Sequence, residues 1–298
     1  MFQNHLGEFA ALLTAFFWTI TALAFEYASN KVGSLIVNFL RLLLAFIFLS
    51  IYSWITRGFF FPTDASATAW LWLSLSGLIG FVIGDLFLFE SYTIIGSRIS
   101  MLIMTLVPPI TAIFSWFILD ETMTLLSIFG MIITVGGILI VIVSRKNGGK
   151  KIFISHSLKG LFYAFIGAVG QSFGLIFSKV GMGTYNAFAA TQIRIVTGII
   201  GFFIIISLLG KWKNVNRALY NKDAMKRITL GSIFGPFLGV SFSLLAIQHA
   251  LAGVASTIMS IVPILIIPPA ILIMKQKVST KEIIGAVISV IGVAIFFI

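Results

Sequence analysis

The sequence predicts an all-α integral membrane protein, with ten transmembrane helices arranged as two inverted five-helix repeats. Three observations predict it. Of 298 residues, 59% are apolar and 10% charged, with a mean hydropathy of +1.11; a soluble domain carries about 25% charged residues, and so few charges cannot coat an aqueous surface. Ten apolar stretches reach the ~20 residues that a helix rising ~1.5 Å per residue needs to cross a hydrocarbon core ~30 Å thick. The second half of the chain also repeats the first. The same composition excludes disorder and a collagen-like fibre. The absence of Cys excludes a disulfide scaffold, thiolate catalysis and Cys-based metal sites.

The stretches run 7–27, 33–56, 70–92, 98–119, 124–144, 157–179, 186–210, 228–249, 255–274 and 280–297. The gaps between them are too short for a soluble domain. Backbone in lipid must satisfy its own hydrogen bonds, and period-2 alternation is absent, so helices and not barrel strands are expected. The first stretch holds Ala22-Leu23-Ala24, which has the look of a signal-peptide cleavage site. Residues 1–8 carry no Lys or Arg and the apolar run is too long, so an uncleaved span is expected.

The repeat rests on glycines and prolines, because Ile, Leu and Phe matches are cheap in so apolar a chain. At an offset of 153, Gly7, Phe9, Ala11, Ala15 and Arg41 fall on Gly160, Phe162, Ala164, Ala168 and Arg194. At 155, Gly80, Gly84 and Phe87 fall on Gly235, Gly239 and Phe242, and Met104, Val107, Pro108, Gly130 and Gly137 on Met259, Val262, Pro263, Gly285 and Gly292. Residues 1–146 form the first repeat, 147–156 a basic linker loop and 157–298 the second repeat. Five spans is an odd number, so the second repeat enters the membrane inverted. The loops agree: the one around Arg57 and Asp64 is neutral, while its counterpart holds Lys211, Lys213, Arg217, Lys222, Lys226 and Arg227 against Asp223. Asp120-Glu121 is acidic, while its counterpart holds Lys275, Lys277 and Lys281 against Glu282. Lys31, Arg98 and the clusters at 145–159, 211–227 and 275–281 sort to one side, with only Arg57 and Lys179 on the other. The positive-inside rule then places both termini outside. The excess of 20 basic over 9 acidic residues is thus a topology signal and not a nucleic-acid surface.

Several segments have a familiar form: "FFWTITALAFEYASNK" around Trp18, "NFLRLLLAF", "GLIGFVIGDLFLFESYTIIGSR" and "LVPPITAIFSWFILDETMTLLSIFGMIITVGGILIV", with a second copy "IVPILIIPPAILIMKQKVSTKEIIGAVISVIGVAIFF". Over nearly its full length the chain resembles the EamA family of the drug/metabolite transporter superfamily. It departs from the family pattern at Gln276, where the first copy has Glu121, and has Gln171 where the first copy has Trp18. The resemblance implies a secondary transporter with a central cavity between the repeats, often exporting metabolites. It implies nothing about the substrate.

Ionisable groups inside a bilayer cost at least about 2.5–3.5 kcal/mol each at mid-span, so each invites a functional reading. Arg41, Asp85, Glu90 and Arg194 are the deep ones. Glu8, Glu26, Lys179 and His249 sit at span ends, where reaching for water explains them. Asp85 shares a helical face with Ser74, Leu78, Phe81, Phe89 and Tyr92. It either binds a cation or proton in a cavity or pairs with a neighbouring helix. Glu90 lies on another wall. Arg41 and Arg194 are repeat mates that could together receive a carboxylate, or could each tie a helix to a carbonyl, to Asp85 or to Glu90. Trp18 and Gln171 face each other if the first and sixth spans line the centre, and Trp18 equally suits lipid or core. The stripes Gly77, Gly80, Gly84 and Gly167, Gly170, Gly174, Ser178, Gly181 read as close helix packing. Pro108, Pro109, Pro263, Pro268 and Pro269 break the fourth and ninth spans, and the matched pair Pro108/Pro263 suggests kinks that gate or shape a site.

Enzyme motifs are missing: no H-E-x-x-H, G-x-S-x-G or C-x-x-C, three scattered His, and "NGGKK" is no phosphate-binding loop. The sequence therefore points to a secondary transporter, with no cofactor and no metal, moving a small organic solute outward across the inner (plasma) membrane by alternating access. Its cavity is assigned to Trp18, Arg41, Asp85, Gln171 and Arg194, with Ser241 and Gln248 on one face of the eighth span, and coupling to Asp85 and then Glu90. The partners are a small-molecule solute and membrane lipid, with no nucleic acid and a homodimer left open. A passive facilitator or channel and an intramembrane lipid-acting enzyme remain as alternatives, with a lipid-linked sugar flippase as a variant transporter.

Overall fold

The computed structural model describes residues 5–119, 125–145, 152–154, 156–250, 252–272, 275 and 278–296. The paired positions Glu121 and Gln276, and most of the linker, lie outside these. Helices α1 (Leu6–Val32) and α2 (Ser34–Arg57) are joined by Gly33 alone, at a φ of 89° that only glycine adopts without strain. Helix α3 (Ala67–Gly77) starts where Ser66 accepts a bond from the Ala69 N–H. It passes through a π-helical stretch, Leu78–Asp85, into α4 (Leu86–Ile103). Gly96 breaks α4 with φ 78° and ψ 157°. Without that break Ala67–Phe114 would be a 48-residue rod, ~70 Å long and about twice the membrane core; with it, the chain turns back into the bundle. A 3₁₀ turn at Met104–Leu106 then leads into α5 (Val107–Leu119) and α6 (Leu125–Ile142).

Two short strands, β1 (Val143–Arg145) and β2 (Ile152–Ile154), pair antiparallel where the sequence suggests only a loop. Outside this short pairing the regular structure of the described residues is helical, as the sequence predicts, and the two strands satisfy each other's backbone hydrogen bonds. The second half runs through α7 (Leu158–Met182), α8 (Ala187–Leu208), α9 (Trp212–Tyr220), α10 (Lys222–Ser232), a second π-helical stretch Ile233–Gly239, α11 (Val240–His249), α12 (Ala252–Met259), α13 (Val262–Leu265), α14 (Ile267–Leu272) and α15 (Thr280–Phe296). Helix α9 replaces part of an expected basic loop. Val215 and Ala218 are buried while Lys213 and Arg217 are exposed, the i, i+3 pattern of a helix lying on a surface.

The repeat is visible in the backbone. The two π-helical stretches begin 155 residues apart, at Leu78 and Ile233, the offset at which the glycines match. The helices interlock: α1 packs along α10, the second π stretch and α11, while its mate α7 packs along α3, the first π stretch and α4. The mates α2 and α8 pack on each other, as do α6 and α15. Glycines permit this closeness. A Cβ on Gly170 would lie 2.6 Å from the Gly84 Cα, and one on Gly292 would lie 2.4 Å from the Thr134 amide nitrogen.

Charged loops collect at two ends. Arg98 pairs with Glu282 at 2.6 Å and the Arg227 guanidinium sits over Tyr27 at 5.2 Å at one end. At the other, Arg57 and Tyr185 both hold Asp64, Tyr185 at 2.8 Å. Burial, and then the bond it donates to Asp64, push the Tyr185 phenol above its ordinary pKa. Between these ends the outward surface is apolar, with Ile55, Leu71, Ile132 and Leu208 exposed. Six helical stretches are long and apolar enough to cross a bilayer, and two shorter apolar helices accompany them among the described residues. An uncharged belt of this kind suits lipid tails.

Candidate functional site

Where the two repeats meet, α1, α2, α4, α7, α8, both π stretches and the broken helices around Pro108 and Pro263 enclose a cavity of about 130 Å³. That is room for on the order of ten waters, or one small solute. Its charged centre is built on Asp85, the last residue of the first π stretch. The Arg41 Nη2 donates to Asp85 Oδ2 at 2.5 Å, and Gln171 Nε2 donates to Oδ1 at 2.6 Å. Asn38 braces both partners: its Oδ1 accepts from Arg41 Nε at 2.9 Å and its Nδ2 donates to the Asp85 carbonyl at 3.2 Å. The Arg41 guanidinium also lies 4.6 Å from the Phe89 ring centroid and 5.6 Å from those of Phe25 and Phe81. Arg41 is 3% exposed and Asp85 5%. Charges this deep survive because each has an opposite charge and oriented hydrogen bonds.

Arg194 also stands against Phe81, its guanidinium 4.8 Å from that ring. It is 4% exposed and lines the same cavity. Its Nε is buried without a partner, and the side chain makes no hydrogen bond or ion pair among the described residues. The repeat mates are thus alike in sequence and unlike in situation. The two arginines do not form one symmetric clamp, because Arg41 is already spent on Asp85.

Trp18, Arg41, Asp85, Gln171 and Arg194, assigned from sequence, all line the cavity, as do Pro108 and Pro263. The amide of Gln171 is engaged by Asp85, so it is not the free ligand group opposite Trp18 that the sequence suggests. Pro263 stands in the first turn of α13 and Pro108 is the second residue of α5, positions where a missing N–H costs nothing. The prolines therefore start new helices where the fourth and ninth spans are broken.

Three assignments are corrected. Ser241 is fully buried but off the cavity wall, where Ser243 stands instead; the π stretch before α11 turns that helix away from the phase of a regular helix. Gln248 lies near one end of the molecule, donating to the carbonyls of Gly183 at 3.1 Å and Tyr185 at 3.0 Å. Glu90 accepts a hydrogen bond from Ser34 and does not reach the cavity. Glu26, expected to reach water, is instead 7% exposed and accepts from Ser97 at 2.5 Å, because the Gly96 break carries Ser97 beneath it. The first π stretch also reshapes the expected Asp85 face: Phe81, Phe89 and Tyr92 line the cavity with it, whereas Leu78 is 42% exposed.

Sequence reasoning missed Thr21, Thr105, Ser256 and Ser260 on the wall. Thr105, Ser256 and Ser260 carry the signal of a small polar residue one or two helical turns before a kink proline, whereas Thr21 has no such signal and is brought to the wall against Gly235 by packing. Gln248→Ala is expected to lower stability by about 1 kcal/mol, the worth of the bonds it removes, and to leave solute movement unchanged. Denaturation midpoints beside a transport assay check both halves.

The profile of the EamA-like transporter family matches residues 5–143 and again 158–298. The chain belongs to the EamA-like transporter family. The two matched segments show that this EamA-like protein is a multi-pass membrane protein carrying the family unit twice. An uncharacterized transporter of Clostridium kluyveri is 27% identical over 186 residues, which is 60% of this chain and 56% of that protein. The match thus spans little more than half the length of that relative. A protein crystal structure with 16% identity aligns over 97% of this chain and 95% of its own, with a TM-score of 0.65, and shares the fold.

Proposed function

We propose that this EamA-like protein is a ten-span secondary transporter of the inner (plasma) membrane, its termini outside, whose inverted repeats rock about the central cavity to export a small organic solute. The observation that carries this reading is the cavity at the repeat interface, largely apolar around a charged centre and walled by helices that break at the matched prolines Pro108 and Pro263. Broken helices let two bundles move as bodies around a fixed site. Asp85 is the coupling candidate. A proton arriving there releases Arg41, so protonation and the packing of α2 against α4 are linked. Glu90 drops out, because Ser34 holds it away from the cavity.

The test compares metabolites in supernatants of overexpressing and deleted cells, then reconstitutes the purified protein with whichever solute differs. The expected result is accumulation against a gradient when a pH difference is imposed. Equilibration without accumulation would make it a passive facilitator, and turnover of a labelled lipid without solute movement would favour the enzyme reading.

A further inference from the structure

The cavity holds two guanidinium groups and one carboxylate, and among the described residues the second guanidinium has no hydrogen bond or ion pair, only the longer-range attraction of the Asp85 that Arg41 already holds. The repeat explains why. Arg41 of the first copy meets Asp85 of the same copy and, through it, Gln171 of the second. At the same offsets Val240 of the second copy falls where Asp85 stands, and Trp18 of the first copy falls where Gln171 stands. Both replacements line the cavity, and neither carries a negative charge. Arg194 keeps the position of its mate and lacks a directly paired counter-ion of its own.

The surroundings hold the guanidinium in place without neutralising it. Phe81 lies 4.8 Å from it, and Gly80 and Gly174 leave a slot for it: a Cβ on either would approach Nη2 to 3.2 and 3.5 Å. An unpaired buried cation costs several kcal/mol unless something neutralises it. A side chain that is always charged cannot escape by losing its proton.

We propose that Arg194 is the receptor for the anionic group of the transported solute, and that the solute is a small organic monocarboxylate. This rests on the transporter reading above and adds its substrate class. One negative charge brings the tally of Arg41, Asp85 and Arg194 to zero, whereas a dianion would leave a net charge buried in the membrane. The guanidinium offers a carboxylate two parallel N–H donors. The rest of the solute lies against an apolar wall that includes Trp18, Phe81, Tyr92 and Met259.

The experiment uses phenylacetate, phenylacetamide and phenethylamine, near-isosteric probes that differ in charge and fit the cavity volume. Their binding to the full-length protein in nanodiscs is read by thermal stabilisation and calorimetry. Wild type is expected to favour phenylacetate over the amide by at least about ten-fold and to reject the amine. Arg194→Lys keeps the charge and is expected to keep most of that preference. Arg194→Gln is expected to bring carboxylate and amide within about two-fold of each other. Val240→Asp, which restores the missing counter-ion, is expected to abolish phenylacetate binding and raise thermal stability. Failure of phenylacetate to bind wild type, tighter binding of the amide or amine, or an undiminished carboxylate preference in Arg194→Gln overturns the proposal.

Transport in proteoliposomes separates the two readings. Arg194-dependent carboxylate binding without movement keeps the anion site and removes the transporter. Movement of neutral or cationic solutes alone keeps the transporter and removes the anion site.

Discussion

Asp85→Asn is expected to stop solute movement and to destabilise the protein by about 3–5 kcal/mol, the cost of stranding one partner of a buried ion pair. Asparagine keeps the shape of the side chain and can still bond Gln171. It removes the charge that answers Arg41, which is 3% exposed. The aromatic faces of Phe25, Phe81 and Phe89 around the guanidinium supply only a fraction of the lost attraction. The double change Arg41→Gln with Asp85→Asn removes both charges and is expected to recover most of the lost stability, because the paired cost of burying them disappears with the pair. Denaturation midpoints of the two single variants and the double variant in nanodiscs give the coupling energy. A single variant within ~0.5 kcal/mol of wild type would show that the pair contributes little. Unchanged transport with unchanged pH dependence would remove Asp85 from coupling.

Gly77→Val should damage fold and site together. A Cβ at Gly77 would stand 2.4 Å from the Arg194 carbonyl oxygen and 2.9 Å from its Cα. These are backbone atoms of a packed helix, so α3 and α8 must separate. Overpacking of this kind costs about 1–3 kcal/mol, and the displaced segment is the one that presents Arg194. Solute movement is therefore expected to fall at least ten-fold even in the fraction that folds. Gly136→Ala is the contrast: nothing lies within 4 Å of its added Cβ, and alanine is the better helix former by about 0.5–1 kcal/mol. It should be neutral or slightly stabilising. Equal effects of the two changes on the denaturation midpoint would contradict the close approach of α3 and α8.

Much of the site was legible in the sequence, because the cost of burying charge is local. Arg41, Asp85 and Arg194 stand out in apolar runs whatever the fold, and Pro108 and Pro263 stand out by their matched places. Ser241 and Gln248 failed for different reasons. The assignment of Ser241 assumes one unbroken helical phase along the expected eighth span, a phase that the π stretch Ile233–Gly239 changes, while Gln248 lies near the end of that span, where it is held by the carbonyls of Gly183 and Tyr185. Glu26 misled in the same way: its distance along the chain from a span end says nothing about Ser97, which a glycine break 70 residues later brings against it.

The sequence by itself determined that this chain lives in a bilayer and that its halves are copies, because solvent and repetition act on composition and spacing alone. It also determined which charges would have to be buried. Only the tertiary structure decided how those charges are partnered. Packing brought Asp85 to Arg41 and Gln171 and left the identical residue in the other copy with Val240 in the corresponding place. Pairing is a matter of ångströms between helices far apart in sequence, and the matched arginines of the two repeats therefore end as a closed ion pair and a cation with no direct partner among the described residues.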